Sequence, residues 1–238
     1  MGPAGEQAPL LTALLTALDV FTGDFDVIEL SQRLVDACPV VTGGAAAGLL
    51  LADDRRDLQL LASTSEESGL LALLETEALD GPSREAFHTG LATSIPDLHV
   101  TGHRWREFRA RAIDVGYRST FALPVRCHRR SVGALTVLAQ TPAAVDDDGM
   151  RAGQALADLA GIGIAQESAL AQVDTLPAQL SGAVHARIVI EQAKGVLAER
   201  GGLDMPEAFD RLRTHSQKTG RRLADLAAAV VDGTVDLC

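Results

Sequence analysis

Three stretches with the apolar spacing of helices, separated by short polar breaks, occupy the last quarter of the sequence and constrain its fold. Residues 186–200 place apolar side chains three and four positions apart, which predicts a helix with one buried face. Gly201–Gly202 would end this helix, and Asp204 and Glu207 have the spacing of a capping box for the next one. Gly220 separates the second helix from a third. Three short helices with short connections predict a compact helical bundle.

Basic side chains are concentrated in this bundle. Five of them lie between positions 211 and 222, with no acidic residue among them. The net charge of −11 belongs to residues 1–175, because residues 176–238 hold eight basic and eight acidic side chains. A basic cluster on a small helical module indicates nucleic-acid binding, with a solvated surface as the alternative. Since the module is neutral overall, its basic groups must converge, and a dimer would strengthen binding by making the second contact intramolecular.

The order of the residues in the bundle points to a known family. The segments that carry the resemblance are Gln192–Leu197, Glu207–Phe209, Leu212–Arg213 and Leu223–Ala227. Together they resemble the ANTAR domain, over about residues 180–233. The resemblance implies a domain that binds hairpin loops in nascent RNA and regulates transcription antitermination. One departure is Ser216–Gln217, where many members carry a pair similar to Ala-Met.

The resemblance and the charges together predict which residues bind RNA. Basic side chains would contact phosphates, and small residues would let the RNA backbone or a base approach closely. The predicted phosphate contacts are Lys194, Arg213, Lys218, Arg221 and Arg222. The predicted positions of close approach are Ala193, Gly195 and Ser216. RNA binding then requires Lys194 and Arg221–Arg222 to share one open face, whereas a module that docks a protein should expose an apolar stripe.

The longer first part of the sequence mixes strand and helix patterns. Leucines in residues 8–20 recur at helical spacing and predict an amphipathic helix, and a second helix is expected near 26–37. Residues 40–64 predict a strand, a polar turn and a second strand, and residues 117–125 and 131–139 predict another hairpin. Strands mixed with segregated helices predict an α+β domain with an antiparallel sheet.

This first part carries a second family resemblance. Its segments are Asp80–Phe87, Gly116–Ser119, Ala122–Arg126, Gly133–Leu135 and Gln154–Asp158. They resemble a GAF domain over roughly residues 25–170, so the chain is similar to GAF–ANTAR regulators, in which a sensory domain precedes the RNA-binding one. The expected fold is a GAF-like antiparallel sheet flanked by helices, followed by a small three-helix ANTAR bundle. The expected domains are an N-terminal helix (1–24), a GAF-like sensor with its closing helix (25–172) and the ANTAR domain (173–238).

The GAF resemblance also implies a site for a small molecule between the sheet and its covering helices. Residues on the covering segments and at one strand start would line it. These residues are Ser83, Trp105, Phe108, Tyr117 and Arg118. The alternative is that Trp105 and Phe108 fill the core with their large apolar rings.

Residue types that support catalysis or metal binding occur singly. His99 and His103 are four positions apart, which suits a metal on a helix, but Gly102 and the lack of a third ligand favour a loop. Cys127 precedes basic residues that would lower a thiol pKa, although a place in a hairpin turn favours an inert cysteine. No nucleophile is paired with a base, so we expect neither an enzyme nor a cofactor or metal site.

The sequence thus predicts a cytoplasmic regulator of transcription antitermination, in which a GAF-type sensor controls an ANTAR module that binds hairpin RNA. Its expected partners are RNA, a small-molecule ligand in the GAF domain and a second copy of the chain in a homodimer. The chain has no run of eighteen apolar residues, so no membrane partner is expected. The alternative is a ligand-binding signalling protein whose helical tail docks a protein partner or DNA.

Overall fold

The computed structural model describes residues 26–100, 102–127, 130–170 and 176–237. Its helices are α1 (Val27–Thr42), α2 (Ser68–Leu79), α3 (Pro82–Thr89), α4 (Arg106–Asp114), α5 (Asp147–Leu170), α6 (Leu176–Gly201), α7 (Met205–Thr219) and α8 (Leu223–Val231). Its strands are β1 (Ala46–Ala52), β2 (Leu58–Ser63), β3 (Thr93–Ile95), β4 (Ser119–Cys127) and β5 (Arg130–Ala139). The helix predicted at residues 8–20 lies outside the described residues. Within the described ranges, no helix combines the length and the apolarity needed to cross a membrane.

One five-stranded antiparallel sheet, in the order β2-β1-β5-β4-β3, forms the centre of the first part of the chain. Helices cover both of its faces, which is why β1 is buried along its whole length. Leu49 and Leu51 join the core that contains α1 and α5, whereas Leu50 and Ala52 join the core that contains α2 and α3. This alternation confirms the predicted α+β domain, and β1–β2 and β4–β5 are the two predicted hairpins.

The helix α1 extends further than the sequence pattern indicates. A strand is predicted from residue 40, but α1 continues through Pro39 to Thr42. Cys38 and Thr42 are buried, whereas Val40 is 73% exposed, so the buried positions keep helical spacing through this turn. The burial of Cys38 in the core and of Thr42 beside Gly153 of α5 outweighs the hydrogen bond that Pro39 cannot donate. Gly43, in the left-handed conformation, then ends the helix.

The helices α6, α7 and α8 form the predicted bundle. Asp204 caps α7 by accepting a hydrogen bond from the Glu207 N–H at 2.8 Å, and the Glu207 carboxylate accepts one from the Asp204 N–H at 3.1 Å. This is the predicted capping box, and the left-handed Gly220 ends the same helix. Helix α6 begins at Leu176, earlier than the apolar pattern indicates, with Pro177 in its first turn, where a missing N–H costs little.

The bundle packs directly against the first part of the chain. Ile190 on α6, Phe209 on α7 and Leu226 on α8 belong to the same buried apolar cluster as Leu30 on α1. Since this cluster runs through both parts, the side of the bundle that faces α1 and the loop between β2 and α2 is closed to solvent. The packing therefore decides which basic residues of the bundle are accessible.

Candidate nucleic-acid interface

Lys194 is a predicted phosphate contact, and the structure buries its side chain completely. Its Nζ atom lies 2.5 Å from Oε2 of Glu66, in the loop between β2 and α2, and 2.8 Å from Oε2 of Glu191, one turn earlier on α6. These carboxylates balance a charge that would be costly to bury alone. Lys194 does not lie on an open face in this conformation, because α6 presents it to the first part of the chain.

Arg187 lies two helical turns before Lys194 and shares both of its partners. Its guanidinium group lies 3.2 Å from Glu66 and 2.5 Å from Glu191. The Phe209 ring lies beside both cations, with its centroid 5.9 Å from the Arg187 guanidinium and 5.7 Å from the Lys194 Nζ, within the range of cation–π attraction. We call Glu66, Arg187, Glu191 and Lys194 the junction cluster.

The charges of the junction cluster set the ionisation of Glu66. Its carboxylate is 7% exposed, and burial by itself would raise its pKa. The positive charges of Arg187 and Lys194, and the hydrogen bonds they donate, outweigh burial and lower the pKa below its usual value. Glu66 is therefore ionised at neutral pH and attracts both cations.

Arg213, a second predicted phosphate contact, extends from α7 onto α1. Its guanidinium group lies 3.2 Å from Glu29 and 3.1 Å from Asp36, and Gln217 donates a hydrogen bond to Glu29 at 3.0 Å. Burial works to lower the pKa of Arg213, but the two carboxylates outweigh it and raise the pKa. The Arg213 side chain is 24% exposed, so solvent and salt screen these pairs in part.

The carboxylate of Asp26 caps one helix in each part of the chain. Its Oδ1 atom accepts a hydrogen bond from the Ile28 N–H at 2.8 Å, at the start of α1. Its Oδ2 atom accepts one from the Leu223 N–H at 2.7 Å, at the start of α8. Arg222 occupies the N-cap position of α8 and makes no side-chain capping bond there. The positive end of α8 is thus supplied with an anion by the first part of the chain.

The other predicted RNA-binding residues differ in their exposure. Gly195, Lys218 and Arg221 are exposed. Ser216 donates a hydrogen bond to the carbonyl of Arg221 at 2.7 Å, which closes the turn between α7 and α8, and Arg222 is half-buried. Ala193 is fully buried, so its methyl group packs inside the bundle instead of facing solvent. The open face that was expected to combine Lys194 with Arg221–Arg222 is absent from this conformation, because the junction cluster holds Lys194 inside.

Two surface clefts adjoin these residues. One, with a volume of about 480 Å³, follows α7, and its walls include Asp210 and Lys218. The other, with a volume of about 820 Å³, lies where β2 and α2 meet α6, and its walls include Glu75, Arg84 and Arg187. Since both carboxylates and cations line each cleft, neither has the uniform positive lining that a phosphate-binding cleft needs.

The residues predicted to line a ligand pocket occupy different surroundings. Trp105, Phe108 and Tyr117 share one apolar cluster. Phe108 is fully buried within it, as the core-filling alternative expects. Arg118 pairs with Asp97 at 3.3 Å, and Ser83 lies apart, buried between α3 and β5. Neither of the two clefts described above is lined by any of the five residues, and their role in ligand binding stays a prediction.

Ser83 instead bonds to Glu77, a fully buried carboxyl group on α2 that no sequence pattern singles out. The hydroxyls of Ser83 and Thr136 donate hydrogen bonds to Glu77 Oε1 at 2.8 and 2.6 Å, and the Ser83 N–H donates a third at 3.2 Å. Glu77 Oε2 has no hydrogen-bond partner among the described residues. Burial raises the pKa of Glu77 to about 7, although the three hydrogen bonds work to lower it.

The cysteine and histidine that suggested chemistry are placed as ordinary structural residues. Cys127 ends the strand β4, paired with Arg130 on β5, instead of lying in the turn as predicted. It is buried, and burial raises the pKa of its thiol, which opposes the thiolate that a redox sensor needs. His99 is exposed, and the described residues contain no group of three or more side chains that could hold a metal.

The acidic partners of the bundle were not identifiable from the sequence. They are Asp26, Glu29, Asp36 and Glu66. Each lies far from the bundle in sequence, in a chain with an acidic excess, so nothing in the sequence marks it as a partner of the bundle. The one available signal is the acidic excess of residues 1–175, which favours attraction to a basic cluster but does not locate the contact.

Comparisons with known proteins agree with both parts of the fold. A GAF domain model matches residues 26–165, and an ANTAR domain model matches residues 178–231. A search of curated proteins finds none that matches the sequence. The boundaries predicted after residues 24 and 172 stay predictions.

Solved structures resemble the first part of the chain. The GAF domain of a phosphoenolpyruvate-protein phosphotransferase from Acinetobacter is 15% identical, with a TM-score of 0.53 over 69% of this chain and 98% of that one. The GAF domain of the corresponding protein from Coxiella burnetii is 14% identical, with a TM-score of 0.53 over 70% and 98%. The free methionine-R-sulfoxide reductase from Neisseria meningitidis is 16% identical, with a TM-score of 0.52 over 66% and 87%. At these identities the likeness shows the fold alone. Since the GAF model matches more than half of the chain and the ANTAR model follows it, the chain belongs to the GAF domain family and is a signalling regulator with an ANTAR domain as its output module.

Proposed function

We propose that the protein is an RNA-binding regulator of transcription antitermination, in which the GAF domain senses a small molecule and the ANTAR domain binds hairpin RNA. It acts in the cytoplasm, as a homodimer and without catalysis. The domain content supports this proposal, because GAF and ANTAR domains are regulatory modules. RNA binding and antitermination are carried over from the ANTAR family.

The observation that carries the proposal is the position of Gly195. This residue lies inside the long helix α6 and is exposed, and apart from its chain neighbours and the backbone of its own helix no atom lies within 4 Å of the place where a Cβ would be. Glycine in a helix interior costs about 0.5–1 kcal/mol relative to alanine. No neighbouring atom in the described structure requires the missing side chain, whereas a partner that approaches the helix closely does. An RNA backbone is such a partner.

The cations at the end of α7 also support the proposal. Lys218 and Arg221 are exposed on either side of the turn at Gly220, where they are free of ion pairs among the described residues. Flexible exposed cations at a turn are suited to phosphates, which they contact without reading the base sequence. We assign to these two residues a part of the phosphate-binding surface.

The apolar surface of the bundle disfavours the protein-docking alternative. Among the described residues of the bundle, the exposed large apolar side chains are Ile188 on α6 and Met205 on α7. They lie on different helices and are 49% and 38% exposed. Isolated apolar side chains are normal on a protein surface, whereas a docking module should expose a continuous apolar stripe.

Binding of the purified protein to a pool of two-hairpin RNAs, compared with duplex DNA over a series of salt concentrations, tests the proposal. The double variant Lys218→Ala/Arg221→Ala should bind RNA more weakly. A plot of log affinity against log salt concentration should also become less steep, by about 1.4, because each lost phosphate contact reduces the magnitude of its slope by about 0.7. Arg55→Ala/Arg151→Ala removes two exposed charges from the GAF domain and is the matched control. Equal affinity for RNA and DNA, or equal slopes for the two double variants, would contradict the proposal.

A further inference from the structure

We infer that the GAF domain keeps the ANTAR domain closed by placing its own carboxylates on the basic groups that bind RNA, so that RNA and the GAF domain compete for one surface. This inference rests on the proposed function and concerns its regulation. The carboxylates belong to Asp26, Glu29, Asp36 and Glu66, which we call the acidic face. The ANTAR domain of the same chain docks on this acidic face.

The acidic face binds two of the predicted phosphate contacts. Glu66 lies 2.5 Å from Lys194, and Glu29 and Asp36 lie 3.2 and 3.1 Å from Arg213. Carboxylate and phosphate oxygens accept hydrogen bonds from the same N–H donors with similar geometry. Each acidic side chain therefore occupies the position that a phosphate oxygen would take.

The acidic face also caps the start of α8. The Asp26 carboxylate accepts the Leu223 N–H at 2.7 Å, beside Arg221 and Arg222. A helix N-terminus flanked by arginines favours an anion, and the GAF domain supplies that anion here. The acidic face thus reaches α6, α7 and α8, the three helices of the ANTAR domain.

Contact with the acidic face and contact with RNA exclude each other at Lys194. This side chain is 0% exposed, held between Glu66 and Glu191 and beside the ring of Phe209. RNA can reach the ammonium group if α6 moves away from the loop that carries Glu66. When the binding-competent form is a small fraction of the molecules, the apparent dissociation constant rises in inverse proportion to that fraction.

The acidic face is also arranged so that one movement can release most of it. Asp26, Glu29 and Asp36 lie at the start of α1 or on it, whereas Glu66 lies in the neighbouring loop. A displacement of α1 would withdraw three carboxylates together. Ionic contacts of this kind are weakened when their partners separate by a few ångströms, because water then screens them.

The lysines of the chain provide a direct readout of closure. Lys194 and Lys218 are its two lysines, one fully buried and the other exposed. An amine-reactive ester applied to the full-length protein, followed by peptide mass spectrometry, measures the labelling rate of both in one sample. In the closed form Lys194 should react far more slowly than Lys218, and this measurement needs no RNA.

The variant that should open the protein is Glu29→Gln/Asp36→Asn/Glu66→Gln, which removes three charges and little volume. Its matched control is Asp54→Asn/Asp80→Asn/Asp114→Asn, which removes three exposed carboxylates of the same domain. Relative to this control, the opening variant should label Lys194 at least about tenfold faster and bind the two-hairpin RNA pool at least about tenfold more tightly. If the triple variant loses cooperative melting, Glu66→Gln alone provides the same comparison.

The outcomes separate this inference from the proposed function. Equal labelling of both lysines in the unchanged protein would show that the closed form does not exist and overturn the inference. Suppose that the unchanged protein binds RNA and that Lys194 is labelled faster in the opening variant. If this variant then binds RNA no more tightly than the control, RNA and the GAF domain do not compete for one surface. Faster labelling with no RNA binding by any of the proteins, even at low salt, would overturn the proposed function and, with it, the competition.

Discussion

The buried carboxyl group of Glu77 allows a quantitative prediction about the stability of the GAF domain. The substitution Glu77→Gln keeps the shape of the side chain and the oxygen that accepts hydrogen bonds from Ser83 and Thr136, but it removes the titrating group. We expect the free energy of unfolding of the variant, relative to that of the unchanged protein, to increase as the pH rises, because the natural carboxyl group must ionise in a buried site.

The magnitude follows from the pKa of Glu77 in the two states. Burial raises this pKa from 4.5 to about 7 in the folded protein. A group whose pKa is raised by folding stabilises the protein fully below its unfolded pKa, and this stabilisation is lost as the pH rises through its folded pKa. Between pH 6 and pH 8, integration over these two pKa values gives a loss of about 1 kcal/mol in the free energy of unfolding. The variant has no such loss, because the glutamine side chain does not titrate in this range.

Urea denaturation of the unchanged protein and of Glu77→Gln, at pH 6 and at pH 8, measures this effect. The difference in unfolding free energy between the two proteins should shift by about 1 kcal/mol in favour of the variant on going to pH 8. Glu75→Gln, which changes an exposed carboxyl group on the same helix, is the control and should show no comparable shift. A difference that stays constant between the two pH values for Glu77→Gln would refute the reasoning, since it would mean that Glu77 titrates alike in both states.

Three further substitutions test the structure at single positions. Gly195→Ala should raise the free energy of unfolding by about 0.5–1 kcal/mol, because the site is open and helical, and it should also weaken RNA binding. A variant that is more stable but binds RNA with unchanged affinity would contradict the role of Gly195. Gly161→Ala should destabilise the protein by about 1–3 kcal/mol in urea denaturation, since its Cβ would overlap the carbonyl of Arg126, whereas Gly182→Ala at an open position should not. Asp204→Ala should lower the free energy of unfolding by about 1 kcal/mol, measured by thermal melting, because it removes the capping box. Asp210→Ala, at an exposed site on the same helix, is the control, and an equal loss of stability in this variant would argue against capping as the cause.

Much of the fold could be predicted because its signals are local. The capping box at Asp204 and Glu207 needs a spacing of three residues, and the hairpin β4–β5 needs two apolar runs close together in the sequence. The error at the end of α1 has the opposite cause. Val40 and Val41 resemble the start of a strand, but the burial of Cys38 and Thr42 in the core keeps the chain helical past Pro39.

The composition of the candidate site was predictable in the same way, whereas its accessibility was not. By itself, the sequence determined that the bundle carries Lys194 and Arg213, and that a glycine, Gly195, lies within a predicted helix. The tertiary structure alone decided that Lys194 is buried and that Arg213 is paired with carboxylates of α1. Lys194 meets Glu66 across 128 positions of sequence, and Arg213 meets Glu29 across 184. Helical spacing and capping act between neighbours in sequence, but a charge attracts whatever group the fold brings within a few ångströms, and only the packing of α6 and α7 against the GAF domain chooses that group.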